Sequence, residues 1–421
     1  MSTHHLTTSS RGLRSPPRPL LGLLLVGAAG CGALFTEAPD ERESLDGPIP
    51  GLTGTQLASF SRGDEAFSET FSAETGLGPV FNQPSCNSCH LSDGKGHPAT
   101  NLVRFGRGDP LSAARFDYLR HLGGPQLQDR AVPGYEAETL PSGVTGLSTR
   151  SGPVVAGIGL VEAIPEAEIL AHADPEDRDG DGIRGVPNYV VPPAYIEPLD
   201  GQRPVDGRVL ARFGRKATAV TLLQQTVGAY LNDMGLTTDF EPVDVYNPRV
   251  GGPSGDTVPD PEVPAPTVRD VVMYLRTLKP PPRRDEDDPT VQQGERVFRS
   301  VGCATCHVPS LRTGASPIAA LSHRAVPLYS DLLLHDLGPA LADNFPEGQA
   351  TGRQWRTTPL WGLGLVRALL GGTPFYLHDG RTSSLEEAIR LHGGEAQAVR
   401  DRFVRLPEPD RQALLRFLDS L

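Results

Sequence analysis

Apolar residues recur at helical spacing in two matching places along the 421-residue chain. In "VVMYLRTL" (271–278) and "LLRFLDSL" (414–421) the pairs Val271/Leu414, Val272/Leu415, Tyr274/Phe417, Leu275/Leu418 and Leu278/Leu421 align. Their i, i+3, i+4, i+7 spacing marks one face of a helix. A second matched pair lies upstream of each: Gly63 and Phe67 in "RGDEAF", Gly294 and Phe298 in "QGERVF". The pattern predicts a duplicated unit, opened by one amphipathic helix and closed by another.

A third apolar run, Leu20 to Ala29, follows Arg11, Arg14 and Arg18 and is too short to span a bilayer. It predicts a signal peptide over residues 1–30. The run ends in "AAGC", which resembles a lipoprotein cleavage box with Cys31 as the lipidated residue, although Ala28 stands where leucine is usual. The expectation is export, with a lipid anchor in the outer membrane on its periplasmic face. Residues 31–50 read as a polar tether. The next break is "KPPPRRDEDDP" at 279–289, where proline ends helix continuation beside a charge run. The expected domains are therefore 51–280 and 281–421.

Composition fits this plan. Gly 47 and Pro 41, with 21% charged and 38% hydrophobic residues, describe a loop-rich globular chain rather than a disordered one. A net charge of −12 argues against nucleic acid and anionic membrane surfaces as partners and is compatible with a basic redox protein.

Four of the five cysteines fall in "SCNSCH" and "GCATCH". Each contains Cys-x-x-Cys-His: Cys86, Cys89 and His90, then Cys303, Cys306 and His307. Two thiols at that spacing reach the two vinyl groups of one haem, and the adjacent imidazole becomes the proximal iron ligand. A thioredoxin-like pair does not require the histidine. A zinc site would need the two distant Cys pairs to converge. The motif thus predicts two covalently bound c-type haems. A helix running into each motif and an apolar helix closing each unit is the cytochrome c plan. The expected fold is mainly α, with two cytochrome c-like haem domains and loop-rich insertions.

Several long stretches carry a family resemblance. "GLGPVFNQPSCNSCHLSDGKGHP", "DRDGDGIRGVPNYV", "ARFGRKATAVTLLQQTVGAYLNDMGLTT", "YSDLLLHDLGPALAD" and "PFYLHDGRTSSLEEAIRLHGGEA" resemble the bacterial di-haem oxidoreductases, a family associated with peroxidase and thiol oxidoreductase names. The resemblance covers roughly residues 55 to 421. The C-terminal part is also similar to di-haem cytochrome c peroxidases. That likeness implies two cytochrome c domains, a calcium ion near their junction, one haem reacting with peroxide and the other passing electrons. It also implies a methionine ligand on the C-terminal haem, and here the sequence departs.

The only methionines are Met1, Met234 and Met273, so none follows His307. The distal candidates for the second haem are His335 and His378 foremost, then His323, His392, Tyr329 and Tyr376. For the first haem Met234 competes with His121 and with an open iron. Asp177, Asp179 and Asp181 alternate in "DRDGDG" with Gly182 at the turn, a spacing that suits calcium, although Asn188 stands where an EF-hand loop has its last glutamate. Peroxide cleavage needs a group that moves a proton between the two oxygens. Glu162, four residues before Glu166 in "GLVEAIPEAEI", is the candidate. Trp355 and Trp361 are either core residues or an aid to electron transfer between haems.

The function expected is an exported di-haem oxidoreductase that reduces hydrogen peroxide or a related small oxidant with electrons from a partner such as a small cytochrome. The alternatives are a non-catalytic di-haem electron carrier, or an oxidoreductase acting on an organic or thiol substrate.

Overall fold

The matched glycines mark helix crossings. In this computed structural model, which describes residues 45–199 and 201–421, each half has a leading helix packed along a closing one. Gly54–Ser68 packs on Ala265–Thr277, and Pro289–Val301 packs on Glu408–Ser420. A Cβ on Gly63 would stand 2.1 Å from the carbonyl oxygen of Asp270, and one on Gly294 would stand 2.0 Å from that of Ala413. No side chain fits between backbones that close. The aligned aromatics Tyr274 and Phe417 border the same crossings.

Local chemistry starts these helices. Thr53 caps the first in a reciprocal box with Gln56, and Asp288 caps the second from the position before Pro289. Gly302, left-handed at φ 98°, ends the second leading helix and turns the chain directly into Cys303.

One core gathers Phe60, Phe67, Val271, Tyr274 and Leu275 around Leu222, Val227 and Tyr230. It also takes in Leu311, Leu328, Leu333 and Trp361 from beyond residue 281, so the halves share side chains. A second core joins Val297, Phe298, Phe403, Leu414, Phe417 and Leu418, and smaller clusters accompany these two. Each such side chain contributes about 1.5–3 kcal/mol on leaving water.

Between these helices run long loops and short antiparallel strands. Leu102–Gly108 is the centre of a sheet with Phe116–Asp117, Gln126–Leu127 and Gly146–Arg150. Leu334–Asp336 pairs with Gln354–Arg356 so that His335 lies opposite Trp355. Strands enter the cores too: Leu311 lies in the short strand Leu311–Arg312, and Val190 and Val209, on the paired strands Tyr189–Val190 and Val209–Leu210, belong to a smaller cluster. Among the described residues no helix is long and apolar enough to cross a membrane. The expected signal peptide, Cys31 and the tether as far as residue 44 lie outside the described residues.

Candidate haem sites

Both Cys-x-x-Cys-His motifs are built alike. In the first, Ser85 caps the turn Cys86–Cys89 by accepting from the Ser88 N–H at 3.1 Å, and the His90 N–H returns to the Cys86 carbonyl. In the second, the His307 N–H returns to the Cys303 carbonyl at 3.0 Å. The His90 Nδ1–H donates to the Pro153 carbonyl at 2.9 Å, and the His307 Nδ1–H donates to the Tyr329 carbonyl at 3.0 Å. A carbonyl only accepts, so each ring carries its proton on Nδ1 and offers the Nε2 lone pair. Burial pushes both imidazoles down to about 4, which keeps them neutral and able to ligate a metal.

The leading helix of each half supports its histidine. Phe67 lies 6.2 Å from the His90 ring and Phe298 lies 6.4 Å from the His307 ring, centroid to centroid. Each phenylalanine in turn meets the closing helix, at Tyr274 or Phe417. All four cysteines are free thiols, with Cys86, Cys89 and Cys303 pushed up to about 12 by burial. Among the described residues neither Cys pair joins a third metal-ligating side chain, which leaves the zinc reading without a site.

A cavity of about 850 Å³ opens on both motifs. Its wall on the first side comes from Leu222–Ala229 and a π-helical turn, Tyr230–Met234, which present Gln225, Gly228 and Asn232. On the second side Ala388, His392 and Val399 line it. The donor set, the apolar walls and the unpartnered buried Nε of Arg215 fit two haems with acidic side groups.

The sequence candidates fare differently. His335 lies beside the second site, 3.6 Å from the Cys306 sulfur, but both its nitrogens are engaged. Nε2 meets Asp331 at 2.8 Å and Nδ1 meets Glu395 at 2.9 Å. Against burial, these carboxylates and Cys306 hold the imidazolium well above its ordinary value. A doubly paired imidazolium has no lone pair left over in this arrangement. His378 stacks on Trp355 with ring centroids 3.6 Å apart, and its own carbonyl accepts from the Ser151 N–H. Burial, then Arg215 and Arg381, pushes it well below the ordinary range.

His392 has the arrangement that His335 lacks. Its Nδ1–H donates to the Ala388 carbonyl at 2.8 Å, Nε2 is left over, and the ring lines the cavity within the field of His307. His121 and His323 are exposed, and neither lines the cavity. Tyr329 spends its hydroxyl on Arg283. Met234 is 2% exposed and packs in the first core, and it also lines the cavity on the side of the first motif.

Glu162 does not line the cavity. Its carboxylate bonds Arg276 Nε at 2.5 Å and the Leu222 N–H at 2.8 Å, pinning two helices together. The carboxylates on the cavity wall are Asp233 and Glu241, and burial pushes Asp233 up to about 6. Trp355 and Trp361 are both buried and both line the cavity. Carboxylate oxygens of Asp177, Asp179 and Asp181 lie within 4.8 Å of one another. Asn188 is buried elsewhere, donating to the Lys216 and Glu347 carbonyls. Sequence reading missed Arg215, Arg356 and Asp233, which no motif spacing ties to the haem motifs.

A chain that presents two haem-attachment motifs on one cavity is a di-haem redox protein in design. The family model described as "Di-haem oxidoreductase, putative peroxidase" matches residues 26–107 and 139–421, and the chain belongs to that family. Membership implies two haems and oxidoreductase chemistry. Among solved structures, the chain is similar to Kuenenia stuttgartiensis hydrazine synthase, solved under xenon pressure, at 14% identity over 97% of this chain and 100% of that one, with a TM-score of 0.38. It is also similar to a MauG-like protein associated with microbial copper homeostasis, at 14% identity over 89% and 92%, with a TM-score of 0.37. No curated protein matches the chain.

Proposed function

We propose that this chain is an exported c-type di-haem peroxidase, reducing hydrogen peroxide or a similar small oxidant with electrons from a small redox protein. The observation that carries the reading is the asymmetry between two otherwise matched sites. His392 stands over the second with one nitrogen unspent, while the helical wall 222–234 over the first presents Gln225, Gly228, Asn232 and Met234 and no imidazole of its own. Cys86, Cys89 and His90 would hold the first haem, and Cys303, Cys306, His307 and His392 would hold the second. The haems supply the redox chemistry, the closed site storing and passing electrons and the open one admitting the oxidant.

The protein's own part is to orient, to exclude water and to move a proton. Pro153 and Tyr329 fix the proximal rings. Asp233 takes the role first considered for Glu162. It is a half-buried carboxyl on the cavity wall, held by the Gln126 amide at 2.7 Å and poised near neutral pH to give and recover a proton. Calcium is a further expectation at Asp177, Asp179 and Asp181, tested by titrating the metal-free holoprotein with calcium. Export, and anchoring through Cys31, rest on the leader sequence.

The test is turnover of hydrogen peroxide by the holoprotein with a reduced small cytochrome as donor. Peroxide-dependent oxidation of the donor is expected. Electron exchange with that donor, but no response to peroxide, would instead make this an electron carrier.

A further inference from the structure

Two guanidinium groups are buried side by side between the haem motifs without a counter-ion. Arg215 is 7% exposed and Arg356 is 9% exposed, and both line the cavity. The Arg356 N–H donates to the Arg215 carbonyl at 3.0 Å, and Arg356 Nε donates to the Gly214 carbonyl at 3.0 Å. Arg215 Nη2 donates to the Ser151 carbonyl at 2.7 Å, while its Nε has no partner. Among the described residues neither arginine forms an ion pair with a carboxylate. The nearest acids are committed elsewhere, Asp379 to Arg381 and Asp331 to His335.

Two buried like charges are costly unless an anion joins them. Burial and, for Arg215, the neighbouring Arg356 push both guanidiniums down, to about 9 and about 10. Lys95 is a further buried basic group on the same wall, donating to the Phe375 and Leu377 carbonyls, and burial pushes its amine down to about 7.

Each arginine reaches toward a different motif. Ser151 precedes Gly152, whose Cβ position lies 2.9 Å from His90 Cε1, and Arg215 acts on the His90 ring through its charge. Arg356 instead feels Asp331, whose N–H donates to the Cys306 carbonyl. The anions a c-type haem brings into its cavity are its two propionates, and planar guanidinium binds carboxylate in a fork.

We propose that Arg215 and Arg356 form one propionate clamp shared by the two haems, Arg215 holding the first and Arg356 the second. The inference rests on the di-haem reading above. Removing a positive charge beside a propionate favours ferric iron, because the extra negative charge of the propionate is no longer offset.

The experiment is potentiometric titration of the Arg215→Gln and Arg356→Gln holoproteins, with haem content counted and the haems distinguished by their high-spin and low-spin resonance signals. Arg215→Gln should lower the first haem's potential by at least 59 mV, a tenfold change in its reduction equilibrium, and move the second less. Arg356→Gln should do the reverse. Arg215→Lys keeps the charge but loses the fork, so the propionate bending bands in resonance Raman should shift. That variant decides the matter if Arg215→Gln does not accumulate. Unchanged potentials with two haems retained, or unchanged Raman bands in Arg215→Lys, would overturn the clamp. A wild-type protein with no haem would instead remove the di-haem reading.

Discussion

The Nδ1–H of His392 points at the carbonyl oxygen of Ala388, one helical turn back and 2.8 Å away, and this one bond leaves Nε2 for the cavity. His335, the nearer residue to Cys306, has no such freedom because Asp331 and Glu395 hold both its nitrogens. His392→Ala should therefore convert the second haem from low to high spin and leave the first unchanged. His335→Gln should keep both spin states. Optical and resonance spectra of the two variants separate these outcomes, and a high-spin His335→Gln protein would reverse the assignment.

His335 should instead act on stability. Its folded-state affinity for a proton is raised well above the ordinary 6.5, so its contribution is complete below that value and is lost as pH rises through the folded value. Glu395 is shifted the other way and contributes above its ordinary 4.5. Between these limits the pair is intact. Breaking a buried charge pair costs about 3–5 kcal/mol. His335→Gln should lower the melting temperature most near pH 6, with the gap to wild type narrowing in alkaline buffer. A pH-independent gap would show that the imidazolium is not the source.

Asp233→Asn should slow peroxide turnover by about 10²–10⁴-fold, the range typical of lost acid–base help, with haem content and spin states preserved. Glu162→Gln should mainly destabilise, since that carboxylate ties Arg276 to the Leu222 N–H. Turnover per folded holoprotein would then be near wild type. A large loss in the second variant alone would restore Glu162 to the chemistry.

Gly294→Ala should destabilise the second unit by about 1–3 kcal/mol or more, because the new methyl meets the Ala413 carbonyl rather than a yielding side chain. Gly63→Ala should act alike against Asp270. Chemical denaturation of the holoproteins measures both, and a neutral effect would mean that the crossings open without cost.

How much of this was legible in the sequence follows the range of each interaction. The haem motifs, the helix pairs and the matched Gly63/Gly294 and Tyr274/Phe417 positions depend on residues a few places apart or on internal repetition. They could be read directly. The distal side could not, because whether a histidine has a free nitrogen depends on partners 4 and 60 residues away for His335, and on a local carbonyl for His392. Glu162 had the right chemistry and the wrong neighbour, an arginine 114 residues on. The Arg215–Arg356 contact joins segments 141 residues apart and left no local pattern.

The central claim is one closed and one open haem in the same chain. Electron paramagnetic resonance of the oxidised holoprotein, before and after one equivalent of peroxide, tests it most directly. The account predicts equal amounts of a low-spin signal from a bis-histidine haem and a high-spin signal, with peroxide altering the high-spin signal first. Two low-spin signals, neither responding to peroxide, would contradict it.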